Sequence, residues 1–173
     1  SSASRDFSRE VSNFFPDTLG QVENVGNVHN PTTWITDTLV QIPFLEAGLI
    51  GIPSMTAAKY INEAYDAASK ECCECIDIYI IAHSQGAAVL NQAIPLIAPE
   101  VRNTMRILTM GAEQFIRGNQ EQFGFLKNID SKKDFVPEMS IRNIGVDEIE
   151  IGENYIPGHG RTNYLLYFQE NGL

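Results

Sequence analysis

Apolar positions along the chain follow two periods, one helical and one extended. Phe7, Val11, Phe14 and Phe15 recur at helical spacing behind Ser4, which predicts a helix over Ser4 to Phe15 ended by Pro16 and Gly20. Val22 to Val28 alternates apolar and polar residues and reads as a short strand. Asn30-Pro31-Thr32-Thr33 turns the chain, and Thr32 or Thr33 caps a helix through Trp34, Ile35, Leu39 and Val40. An apolar stretch from Ile42 to Met55 follows, interrupted by Pro43, Glu46, Gly48, Gly51 and Pro53. Ser54 or Thr56 caps the next helix, which carries Ala57, Ala58, Tyr60, Ile61, Ala64, Tyr65 and Ala68.

The middle of the chain changes period. Ile76 to Ala82 is a near-continuous apolar run, as expected of a strand buried on both faces of a parallel sheet. A small-residue helix from Ala87 to about Ile94 follows it and stops at Pro95; Pro99 suits the first turn of another short helix. Met105 to Met110 and Phe123 to Ile129 are two further apolar strands, and Val146 to Ile151 alternates as a fourth. Thr162 to Gln169 closes the chain as a helix or, as the second choice, an edge strand. Apolar strands alternating with helices predict an α/β fold, a three-layer α/β/α sandwich on a mostly parallel sheet, in one domain spanning residues 1–173.

Composition narrows the partners. Twelve Lys plus Arg against 22 Asp plus Glu leave a formal charge of −10, with no basic patch to hold nucleic-acid phosphates. The hydrophobic share of 43% supports a real core, where about 70% of the unfolded surface is expected to be buried at this length. No run of about 18 apolar residues predicts a membrane span. Cys72, Cys73 and Cys75 are too close together for disulfides with one another and lack a second ligand pair for zinc, so they read as reduced thiols. They point to synthesis in a reducing cytosol, and later export stays open. Ser1 to Glu10 has no apolar core of a signal peptide.

Chemistry enters at Ile80-Ile81-Ala82-His83-Ser84-Gln85-Gly86-Ala87-Ala88. Here an apolar strand meets a small-residue helix through one sharp turn with a serine at its tip, as in the nucleophile elbow G-x-S-x-G, with Ala82 in place of the first glycine. In that turn the residues two before and two after the nucleophile are expected to be small, because strand and helix pack closely. The backbone N–H of Gln85 is then an oxyanion donor at the helix N-terminus. A serine needs a base. His83 is its neighbour and points elsewhere; His29 lies early in the chain beside the Asn-Pro turn. His159, in Pro157-Gly158-His159-Gly160-Arg161, is the expected base on a loop that reaches over the sheet edge. Asp134 is the expected orienting acid, with Asp130 as its competitor. Ser84, Asp134 and His159 follow one known order of nucleophile, acid and histidine.

Ile81-Ala82-His83-Ser84-Gln85-Gly86, Asp134-Phe135-Val136-Pro137, and Gly158-His159-Gly160 with Tyr164 after it resemble the α/β-hydrolase superfamily of the lipase/esterase type. Val25 to Thr32 resembles, more loosely, an early strand and turn of hydrolase-like domains in some bacterial secreted proteins. The resemblance covers roughly residues 20 to 170 and implies ester hydrolysis through an acyl-serine, with no metal and no organic cofactor. It also implies an N-terminal strand and loop that supply the second oxyanion N–H. This chain begins almost at its first helix, so the expectation is a minimal hydrolase fold lacking N-terminal strands, the C-terminal part of a longer protein. The expected substrate is a lipid or acyl ester. Ile42 to Pro53 reads as a lid or acyl wall on one side and as core packing on the other, the latter preferred; Asp147 to Glu153 reads as a solvated edge strand. Two rival readings accompany the esterase: a hydrolase-like binding module without turnover, and an effector or toxin domain of a larger secreted protein.

Overall fold

The computed structural model describes residues 9, 13, 50–71, 76–117, 122–131, 134 and 164–167. The expected strands at Val22–Val28 and Val146–Ile151, the helix through Trp34, the three cysteines, His29 and His159 lie outside the described residues. Of the expected first helix, Arg9 and Asn13 are described, both helical and exposed.

Helix α1 (Ile52–Glu71) leads into β1 (Ile78–His83), α2 (Gln85–Ala93), a 3-10 turn (Ile94–Leu96), the short α3 (Pro99–Arg102), β2 (Met105–Met110) and β3 (Phe125–Ile129). A helical turn at 164–167 completes the described elements. The strands form one parallel sheet in the order β1-β2-β3. The described part is thus a small α/β fold, with a helix crossing from β1 to the adjacent parallel strand.

The core lies between the sheet and the α1/α2 pair. Ala57, Ala58 and Ile61 of α1 and Ala87, Leu90 and Ala93 of α2 join Ala82, Met105 and Ile107 from the strands, with Phe115, Ile116 and Phe123 from loops. Small residues on α2 let it lie close to the sheet, since Ala87, Ala88 and Ala93 are fully buried. Ser54 Oγ donates to Gln92 Oε1 at 2.9 Å, a buried bond that ties α1 to α2.

Two expectations about burial are corrected. β1 is not covered evenly on both faces: Ala82 is buried while Tyr79 is 52% exposed, because alternate residues of β1 point away from the α1/α2 layer. The end of the apolar stretch Ile42–Met55 is not core packing either. Ile50, Ile52 and Met55 are exposed at 47%, 80% and 57%, at the N-terminal end of α1. No helix among the described residues is long and apolar enough to cross a membrane.

Candidate active site

The three strands end flush. His83 of β1 pairs in register with Met110 of β2, and Met110 with Ile129 of β3. Ser84, the loop from Gly111 and the loop from Asp130 therefore leave the same rim of the sheet. This is the carboxyl edge, where open α/β sheets place their ligands.

Ser84 has φ 58° and ψ −127°, the one non-glycine among the described residues with positive φ. A serine before a helix ordinarily caps it with its hydroxyl. Ser84 occupies the N-cap position of α2 but makes no side-chain cap bond. The backbone twist instead lifts the side chain off the helix end, which is the local geometry that an elbow requires.

Backbone bonds hold this twist from three sides. Ser84 N–H donates to Met110 O at 3.0 Å, continuing the β1–β2 ladder by one residue. Ser84 O accepts from Ala87 N–H and from Glu113 N–H, each at 3.2 Å. Gly111 N–H donates to Ile129 O at 3.0 Å, and Gly111 has φ 50°, so glycine is needed for the chain to turn back toward Ser84. Gln85 is the first residue of α2 and is buried. Its backbone N–H belongs to the first turn of α2.

The acid side of the rim is more elaborate than its sequence announced. Asp130 and Asp134 are both buried, at 5% and 1% exposure. Asp130 Oδ1 accepts from Ser131 N–H at 2.6 Å, and Asp134 N–H donates to Ser131 O at 2.7 Å, closing a tight turn. Tyr164 Oη donates to Asp134 Oδ2 at 2.6 Å and lies 3.4 Å from Asp130 Oδ1. The shorter distance is the true bond; the longer exceeds the usual O–H···O range. The Tyr164 ring also packs edge-on to His83, with centroids 6.2 Å apart. Burial, then the hydrogen bond to Asp134, then the charges of Asp134 and Asp130 push the Tyr164 phenol well above its ordinary value, so it stays a donor.

The structure thus brings Ser84, Gln85, His83, Asp130, Asp134 and Tyr164 to one rim. His159 lies outside the described residues. Two interstrand steps of about 4.8 Å each separate β1 from β3, so the acid turn and the serine turn are not within direct hydrogen-bonding reach through their strands. Among the described residues no cluster of His, Cys, Asp or Glu is arranged to hold a metal ion.

Sequence reasoning missed three supports of this rim. Tyr164 was visible only as an aromatic following the histidine loop. Asn128 accepts at Oδ1 from Thr109 Oγ1 at 2.8 Å and from Ile116 N–H at 3.1 Å, while its Nδ2 donates to Ile116 O at 2.9 Å. It clamps the loop after β2 that braces Ser84. Glu113, buried at 2% exposure, supplies the N–H that reaches Ser84 O. An Asn within an apolar strand and consecutive polar residues in a loop were the available signals. Among the described residues, nothing lies within 4 Å of a Cβ built on Gly86, so none of them requires glycine there. Comparison with known proteins finds no family model, no curated protein and no solved structure that matches this chain.

Proposed function

We propose that the chain is a serine hydrolase of α/β-hydrolase type that cleaves a carboxylic ester, a lipid or other acyl ester, through an acyl-serine intermediate. One observation carries the reading. Ser84 holds a strained positive φ at the junction of a parallel strand and a helix, with its hydroxyl not used as a cap. Strain of this kind is retained where surrounding structure enforces it, and it clusters at functional sites.

In this reading Ser84 Oγ attacks the ester carbonyl carbon, and His159 takes its proton. The tetrahedral oxyanion is met by the Gln85 N–H. Collapse breaks the ester C–O bond as the His159 imidazolium protonates the departing oxygen, so the alcohol leaves and the acyl group stays on Ser84. Water activated by His159 then releases the acid. Asp134 orients the imidazole and stabilises its cation. The finer architecture, a three-layer sandwich, belongs to the same proposal and is supported by the parallel order β1-β2-β3 with the acid turn directly after β3.

The test is covalent labelling with a fluorophosphonate probe. Wild type should label, Ser84→Ala should not, and Asp134→Asn and His159→Ala should label on the order of 1,000-fold more slowly or worse. A folded wild type that does not label would overturn the esterase and leave a hydrolase-like binding module in its place.

A further inference from the structure

The acid turn and the nucleophile turn leave different strands, yet one side chain touches both. Tyr164 gives its only proton to Asp134 Oδ2 at 2.6 Å while its ring lies edge-on to His83, the residue before Ser84. Tyr164 is fully buried. Asp134 is held at its backbone as well, by its N–H to Ser131 O at 2.7 Å. With Oδ2 anchored by the phenol and the backbone anchored by Ser131, the rotation of the carboxyl group is set.

We infer that Tyr164 is a positioning residue for the reaction, a strut that fixes the Asp134 carboxylate relative to the Ser84 turn and selects it over Asp130 as the working acid. The inference rests on the esterase reading above. The selection follows from the one phenolic proton. Two buried carboxylates lie near it, and the distances of 2.6 Å and 3.4 Å give the bond to Asp134. Asp130 Oδ1 is meanwhile occupied by Ser131 N–H at 2.6 Å, which turns it into a brace for the loop. Among the described residues, the groups facing Tyr164 are Asp134, Asp130 and the Ser131 backbone from the turn after β3 and His83 from β1.

The test uses the full chain and measures the fluorophosphonate labelling rate from pH 5 to 9 for wild type, Tyr164→Phe, Asp134→Asn and the double variant, with circular dichroism as the check on folding. Tyr164→Phe should label roughly 10-fold more slowly, the size of one hydrogen bond to a charged group. Its acidic limb should move to higher pH, because a carboxylate with one donor fewer holds the imidazolium proton more tightly. In the Asp134→Asn background the same change should alter the rate by less than about 2-fold, since a residue acting through Asp134 has nothing left to act on. Site-specific 3-fluorotyrosine at 164 keeps the fold and donates more strongly, so it should move the limb the opposite way; it carries the test if Tyr164→Phe does not fold. An unmoved limb in both replacements, or a Tyr164→Phe effect that persists undiminished beside Asp134→Asn, overturns the inference alone. A wild type that never labels overturns the esterase reading and this inference with it.

Discussion

A β-carbon is at odds with the backbone of Ser84. At φ 58° and ψ −127° glycine is at ease and other residues are strained; such strain costs of order 1–3 kcal/mol. Ser84→Ala keeps the Cβ and the strain, whereas Ser84→Gly removes both. After the greater unfolded-state freedom of glycine is subtracted, Ser84→Gly should be more stable than Ser84→Ala by about 1 kcal/mol. Thermal denaturation of the two variants checks this, and identical midpoints would show the turn to be unstrained. The serine was legible because a short pattern of residue types encodes a local shape. Tyr164 and Asn128 were not, because their roles depend on partners distant in sequence. The phenol reaches a carboxylate with a separation of 30, and the amide reaches a loop with a separation of 12. Nothing local in the chain distinguishes such a side chain from a core aromatic or a surface amide.

Among the elements, glycine substitution separates shape from habit. Gly86 lies in the first turn of α2, and among the described residues nothing lies within 4 Å of where a Cβ would go. Gly86→Ala should therefore stabilise the helix by about 0.5–1 kcal/mol. Gly124, just before β3, is the opposite case. A Cβ there would sit 2.9 Å from Asn103 O and 3.5 Å from Met105 O, both backbone atoms that cannot swing aside. Gly124→Ala should cost about 1–3 kcal/mol, and urea denaturation of the pair reads both signs in one series. The same contacts explain where element boundaries were readable. Met105 to Met110 matches its strand throughout. The run from Phe123 overreached, because Phe123 fills the core while the close approach at Gly124 delays the ladder to Phe125. The run from Ile76 overreached likewise: Asp77 pairs with Arg106 at 2.8 Å before β1 begins. α1 starts at Ile52, ahead of its expected caps, because Ser54 spends its hydroxyl on Gln92 and Thr56 bonds back to Ile52 O. Capping signals fail where tertiary contacts claim the side chain.

For the molecule as a whole, the buried phenol ties stability to pH. Its proton is held in the fold above the ordinary value of 10.0. Above about pH 10 the unfolded chain loses that proton and the folded chain keeps it, so the unfolded state binds fewer protons and stability falls as pH rises. Below pH 10 the contribution is fully present. Thermal midpoints from pH 8 to 11 should thus fall more steeply in wild type than in Tyr164→Phe, which has no phenol at that site to titrate; parallel curves would show that Tyr164 ionises as freely in the fold as outside it. The net charge of −10 adds general repulsion to both proteins and cancels in the comparison.

The strut between the two turns also imposes an order on assembly. Parallel strands cannot close by local hairpins, and their pairing waits on longer loops. The hydroxyl that bonds Asp134 lies 30 residues further along the chain, so a ribosome delivers the Ser84 turn and both carboxylates well before it delivers Tyr164. A nascent chain halted short of Tyr164 lacks the phenol that holds Asp134. Under the proposed esterase reading, reactivity at this rim is deferred until the helical turn at 164–167 has docked.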